Sequence, residues 1–160
     1  MRTPARTGVY GDSCAVDGEQ AIDEAMIGAL VEAFYAKARS DALLGPVFDA
    51  HIADWPPHLG RMRAFWSSVT LGSGRYHGQP MDQHLKLAID AAHFDRWLAL
   101  FAATADEMCS PEAAAIFTDR AQRIAESLEL GRAAHCGARL RRGERFHAPA
   151  ASRTETHHAY

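Results

Sequence analysis

The spacing of hydrophobic residues predicts a chain built from helices. Apolar side chains recur three or four positions apart through most of the chain, which is the repeat of an α-helix with one buried face. The first such stripe contains Ile22, Met26, Ile27, Leu30, Val31, Phe34, Tyr35 and Ala38. No segment alternates apolar and polar residues with a period of two. The pattern therefore predicts an all-α domain with four substantial helices and two or three short ones.

Capping residues and prolines set the predicted ends of the first elements. The first helix is expected to begin near Asp17, which forms a capping-box pattern with Gln20, and to end near Ser40. A short helical turn over residues 41–44 is expected to stop at the Gly-Pro pair that begins at Gly45.

The later helices have stronger start signals. Asp54 is the predicted cap of a helix whose first turn holds two prolines, where their missing N–H groups cost little. Pro80 is expected to open a helix of one or two turns, and Asp90 to cap a longer one. Ser110, followed by Pro and Glu, predicts the start of the last helix, and Gly131 predicts its end.

Charge divides the chain of 160 residues into an acidic body and a basic tail. Residues 1–130 hold 11 Lys and Arg against 18 Asp and Glu, a net charge of −7, whereas residues 131–160 hold 6 against 2, a net charge of +4. An acidic body disfavours a nucleic-acid partner. We expect a loose arm at 1–18, one folded domain at 19–130, and a basic, disordered tail at 131–160.

The cysteines and the lack of long apolar runs narrow the class of protein. Cys14, Cys109 and Cys136 are odd in number and have no CxxC or CxxCH spacing, which disfavours a disulfide framework, a structural zinc site and c-type haem attachment. No apolar run approaches the roughly 18 residues that span a bilayer, and the N-terminus is not of signal-peptide type. A cytoplasmic location without a membrane span is expected.

Four large side chains with polar ends fall on the predicted apolar faces: Tyr35, His58, His84 and Trp97. A buried polar end needs a hydrogen-bond partner or, for histidine, a metal. The four are therefore either core residues with satisfied polar ends or parts of a shared ligand site. No HExxH, GxGxxG or P-loop pattern points to another kind of site.

Five segments, taken in order, resemble the landmarks of group III truncated haemoglobins. They are FYAKARSDALLGPVF, DWPPHLGRMRAFWSSVTLG, YHGQPMDQHL, HFDRWLALF and RAQRIAESL, and together they cover roughly residues 19–130. The resemblance implies a truncated globin fold, in which a two-over-two sandwich of helices surrounds haem b. The arm and the tail lie outside it.

The resemblance also implies roles for individual residues. His84 matches the proximal histidine that binds the haem iron. Tyr35, His58 and Trp97 match the polar residues on the distal side, where the gas ligand binds. Further residues expected to contact haem are Phe48, Met62, Phe65 and Trp66 in the pocket wall, with Arg63 and Arg75 as candidate partners of the propionates.

The expected function is the binding of dioxygen, nitric oxide and carbon monoxide at a histidine-ligated iron in a monomeric protein. Donors from the distal residues would stabilise the partial negative charge on bound oxygen. One alternative is a redox enzyme, with nitric oxide dioxygenase or peroxidase-like activity, that uses a separate reductase. A second is a carrier or sensor without turnover, and a third is a helical interaction domain without haem.

Overall fold

Six helices make up the computed structural model, which describes residues 21–148. They are α1 (Glu24–Ser40), α2 (Gly45–His51), α3 (Trp55–Leu71), α4 (Pro80–His84), α5 (Ala91–Met108) and α6 (Pro111–His135). No strand occurs within this range. The predicted all-α fold is confirmed.

Helix α1 begins later than its sequence pattern predicts. Residues 21–23 are not helical, and the Asp23 carboxylate accepts a hydrogen bond from the Met26 N–H at 2.7 Å. A start near Asp17 is therefore wrong, because the aspartate closer to the apolar stripe provides the cap. Asp17 itself and the arm predicted at 1–18 lie outside the described residues.

Helix α2 begins at the Gly-Pro pair that was expected to end a helical turn. Proline fits the first turn of a helix, because its missing N–H would have no partner there, so Pro46 starts α2 instead of stopping the turn before it. Asp41 stabilises that preceding turn by accepting the N–H groups of Leu43 and Leu44, each at 3.0 Å. A Cβ at Gly45 would lie 2.6 Å from the Arg39 carbonyl oxygen, so the chain needs glycine at this point.

The predicted starts of the other helices are confirmed. Helix α3 carries both prolines in its first turn after Asp54, although that side chain makes no capping hydrogen bond, and it ends at Gly72 with φ of 65°. Helix α4 begins at Pro80. Asp90 forms a capping box at the start of α5, and Ser110 caps α6.

Helix α6 runs past its predicted end. It continues through Gly131 to His135, because contacts with α4 outweigh the low helix propensity of glycine. The boundary predicted at residue 130 therefore falls inside a helix. The prediction of a disordered tail is wrong for residues 131–148, where Phe146 is only 2% exposed. Residues 149–160 lie outside the described part of the chain.

Two apolar clusters hold the helices together. The larger one joins α1, α3, α5 and α6, and its most deeply buried large side chains are Ile27, Leu30, Phe34, Phe101 and Phe117. The smaller one contains Ile89, Phe94, Ala125 and Leu128, with Met81 of α4 packed against it. Leu98 and Ile124 pack against both clusters, so the two are continuous.

Across residues 21–148, no helix is both long and apolar enough to cross a membrane.

Candidate functional site

Four aromatic rings meet where α1, α2 and α3 converge, and we call them the Tyr35 cluster: Tyr35, Phe48, Trp55 and His58. The ring centroid of Tyr35 lies 5.1 Å from that of His58, 5.6 Å from that of Phe48 and 5.9 Å from that of Trp55. All three contacts are edge-to-face, the arrangement that aromatic pairs prefer. The structure thus brings together two of the predicted site residues, Tyr35 and His58, with one predicted wall residue.

The polar ends within this cluster are desolvated. Tyr35 is 7% exposed, and burial raises the pKa of its hydroxyl, which stays protonated and able to donate. Burial also lowers the pKa of His58, with a smaller contribution from the charge of Arg61. The His58 Nε2 atom is buried and has no hydrogen-bond partner among the described residues. A buried imidazole nitrogen without a partner is costly, and a polar ligand bound at this cluster would satisfy it.

Trp97 is connected to this cluster through Phe34. The Phe34 ring lies 5.0 Å from Tyr35 and 5.5 Å from Trp97. Trp97 also stacks on Phe101, with centroids 5.1 Å apart and planes 6° apart, and Trp66 stacks on the same ring at 4.7 Å and 14°. Trp66 is only 3% exposed. It lies in the core and supports Trp97 through Phe101.

His84 lies on the short helix α4 and is held by that helix's own backbone. Its Nδ1 atom is 2.7 Å from the Pro80 carbonyl oxygen, so Nδ1 carries the proton and Nε2 keeps its lone pair. Burial lowers the pKa of His84 by more than this hydrogen bond raises it, which favours the neutral ring. A neutral imidazole fixed through one nitrogen and free at the other is the usual form of a metal-ligating histidine.

The described residues suit a prosthetic group better than a bare ion. Within residues 21–148, no group of three or more His, Cys, Asp or Glu side chains could hold a metal ion. Haem brings four nitrogen ligands of its own and needs one imidazole from the protein. Apolar side chains that a flat apolar group could cover are only partly buried against the core: Phe48, Leu59, Met62, Phe65, Val69, Trp97 and Leu98. The residues present therefore fit haem.

The two predicted propionate partners are engaged elsewhere. Arg63 forms an ion pair with Glu32, and Arg75 with Glu24 at 3.1 Å. All four side chains are exposed, and both carboxylates belong to α1. Either arginine would have to share its guanidinium with this carboxylate, or leave it, to hold a propionate.

Sequence reasoning missed one member of the site, Trp55. Its ring contacts Phe48 at 6.2 Å and His58 at 5.6 Å, and the Arg39 guanidinium lies 4.3 Å above it. A helical signal was present, because Trp55 precedes His58 by three positions and so shares its face. The two prolines between them indicated the start of a helix instead.

A fixed imidazole and a buried cluster of polar-tipped rings, carried by a domain of helices, are the site features of a globin. Residues 19–129 match the bacterial-like globin family. The chain belongs to this family and is a haem-binding globin, a class that binds diatomic gases.

A sequence match and a structure match make the assignment narrower. The chain is 34% identical over 115 residues to the group 3 truncated hemoglobin ctb of Campylobacter jejuni, a match that covers 69% of this chain and 91% of that protein. The crystal structure of the group III truncated hemoglobin from Campylobacter jejuni matches with a TM-score of 0.64 and 34% identity, over 68% of this chain and 90% of that one. The predicted resemblance and the truncated globin fold are confirmed.

Proposed function

We propose that the chain is a haem b protein that binds dioxygen and other diatomic ligands, with His84 as the protein ligand of the iron. One observation carries the proposal: the Pro80 carbonyl oxygen fixes the His84 ring at 2.7 Å through Nδ1 and leaves Nε2 available. The sequence has no CxxCH motif for covalent attachment, which favours the b type over the c type.

The polar ends on the distal side would hold the diatomic ligand. Bound haem supplies an iron with one coordination position open to a small ligand. The Tyr35 hydroxyl keeps its proton because it is buried, so it can donate a hydrogen bond at any ordinary pH. His58 has a buried nitrogen without a partner among the described residues, and the indole of Trp97 is a further donor. In a dry pocket these donors favour a ligand with negative charge.

The remaining predicted residues would shape the pocket. Phe48, Met62 and Phe65 are half-buried apolar side chains that would cover the haem and exclude water. Trp66 acts from the core, by supporting the ring on which Trp97 stacks. Arg63 and Arg75 are proposed as propionate partners. To bind a propionate, Arg63 would share or release its ion pair with Glu32, and Arg75 its ion pair with Glu24.

A redox enzyme is the second candidate function. The observation that favours it is the set of three polar ends on the distal side, since strong retention of oxygen suits chemistry better than transport. In such a reaction nitric oxide, dioxygen and one electron would give nitrate. The electron would come from a separate reductase, because the sequence has no GxGxxG pattern of a nicotinamide or flavin module. Fast oxygen release would instead favour a carrier or sensor.

The first test is the visible absorption spectrum of the full chain supplied with haem, in the ferric and ferrous states, with and without carbon monoxide. We expect a Soret band that shifts when carbon monoxide is added to the ferrous protein. His84→Gly should lose stable haem binding or accept added imidazole in place of the side chain. His77→Gly, at an exposed histidine, is the matched control and should leave the spectrum unchanged.

Two results would contradict the proposal. A chain that shows no Soret band after haem is added is not a haem protein. If His84→Gly retains haem with an unaltered spectrum, another residue binds the iron.

A further inference from the structure

The last turn of α6 contacts the helix that carries His84 on both sides of that residue. The Arg132 guanidinium donates from Nη1 to the carbonyl oxygen of Leu85 at 3.0 Å, directly after His84. Gly131 lies against Met81, three residues before His84, so closely that a Cβ at residue 131 would overlap the methionine side chain. The position of α4 is therefore set in part by residues 131 and 132.

The segment that follows α6 makes hydrogen bonds at the far end of the loop after His84, where α5 begins. Arg145 donates three hydrogen bonds to the buried Glu129 carboxylate, at 2.9, 3.1 and 2.8 Å, and one to Asp95 at 2.7 Å. The Phe146 N–H donates to the same Glu129 carboxylate at 2.8 Å, and the Phe146 carbonyl accepts the Ala91 N–H at 2.7 Å. Phe146 is thereby joined to α6 and to the first residue of α5.

These contacts hold the chain between α4 and α5 at both of its ends. Leu85 is bound by Arg132 and Ala91 by Phe146, so residues 85–90 connect two fixed points. The contacts come from residues beyond 129, where the match to the globin family ends. They form an addition to the matched domain that reaches its proposed iron ligand.

We propose that Gly131 and Arg132 are positioning residues that set the place of His84 relative to bound iron, while Phe146 holds the far end of the connection to α5. The proposal rests on the function proposed above, in which His84 is the ligand. A hydrogen bond from a charged donor to a carbonyl restrains the helix end, and removing it allows α4 to shift. The strength of the iron–histidine bond would then depend on residues other than the iron ligand itself.

The test compares variants of the full, haem-loaded chain. Arg132→Met removes the hydrogen bond and keeps most of the apolar stem, and Arg132→Lys restores a cationic donor. The readouts are the iron–histidine stretching frequency in the resonance Raman spectrum of the ferrous protein and the rate of haem transfer to an acceptor apoprotein. We expect Arg132→Met to shift the frequency and to speed haem loss by about tenfold, the factor that corresponds to 1.4 kcal/mol. Arg132→Lys should recover most of both values.

Arg123→Met is the matched control, because Arg123 is exposed on the same helix and pairs only with Asp119 four residues earlier. It should leave the frequency and the haem loss rate unchanged. If Arg132→Met fails to fold, the Gly131→Ala variant tests the proposal in its place. The added Cβ would displace the Met81 side chain, and Arg132 would be kept. A shifted frequency in Gly131→Ala supports the proposal, and an unshifted one overturns it.

The two proposals fail in different ways. If the native chain shows an iron–histidine band that His84→Gly abolishes, while Arg132→Met changes neither readout, the positioning role is overturned and the proposed function stands. An equal change in Arg123→Met and Arg132→Met also overturns the positioning role. If the native chain has no such band, or His84→Gly keeps it, the proposed function fails and the positioning role fails with it.

Discussion

Replacing Tyr35 by phenylalanine isolates the contribution of one hydroxyl to ligand retention. The ring would keep its edge-to-face contacts, at 5.1 Å with His58 and 5.6 Å with Phe48, so the shape of the pocket should not change. A hydrogen bond to a charged acceptor contributes about 1.5–3 kcal/mol. At 1.4 kcal/mol for each factor of ten, we expect oxygen release from Tyr35→Phe to be roughly 10–100-fold faster.

The assay is stopped-flow dissociation of dioxygen and of carbon monoxide from the same ferrous protein. Carbon monoxide carries less negative charge when bound, so its release should change much less than that of dioxygen. Tyr76→Phe is the matched control, because Tyr76 is half-buried against Phe65 and outside the Tyr35 cluster. Burial raises the pKa of Tyr35, so the native release rate should also be insensitive to alkaline pH until the protein unfolds.

A particular pattern of rates would refute this role for Tyr35. If dioxygen release is unchanged in Tyr35→Phe, the hydroxyl is not the donor, and Trp97 or His58 holds the ligand. If the release of both gases rises by the same factor, the substitution has opened the pocket and the hydrogen bond has not been measured.

Two further predictions concern the stability of the haem-free chain. Phe101→Ala should lower the free energy of unfolding by about 3–5 kcal/mol in urea denaturation, because it empties a fully buried site between two tryptophans, and Phe101→Leu should lower it less. Burial lowers the pKa values of His58 and His84, so below about pH 6.5 the unfolded chain binds protons that the folded chain does not. Stability should therefore be level between about pH 7 and 8 and fall on acidification, by at most about 1.4 kcal/mol per pH unit for each histidine. A flat or rising stability on acidification, or a Phe101→Ala protein as stable as the native one, would contradict these expectations.

Periodicity predicted which residues point inward, because an α-helix repeats faces at fixed intervals. It placed Tyr35, His58, His84 and Trp97 on buried faces, and the structure buries or half-buries all four. It did not show that Tyr35 meets His58, or that Trp97 reaches them only through Phe34. Such contacts join helices far apart in the chain, and no local pattern records them.

The wrong helix ends have a common physical cause. Proline both ends and begins helices, so Pro46 could not reveal by itself which of the two it does. Glycine usually stops a helix, yet Gly131 continues one because its missing side chain lets Met81 approach. In both cases a residue has two local uses, and at Gly131 a side chain distant in sequence decides between them.

The stack of Trp66, Phe101 and Trp97 affects the entropy of ligand capture. A tryptophan on a helix surface samples several rotamers, and a donor that samples several must be ordered when its ligand arrives. Trp97 lies nearly parallel to Phe101, which also stacks with Trp66, so a turn of the indole would separate stacked rings. Its freedom is therefore lost when the chain folds. In the function proposed above, a gas molecule would meet an indole already fixed in place, and little of its binding free energy would be spent on ordering the protein.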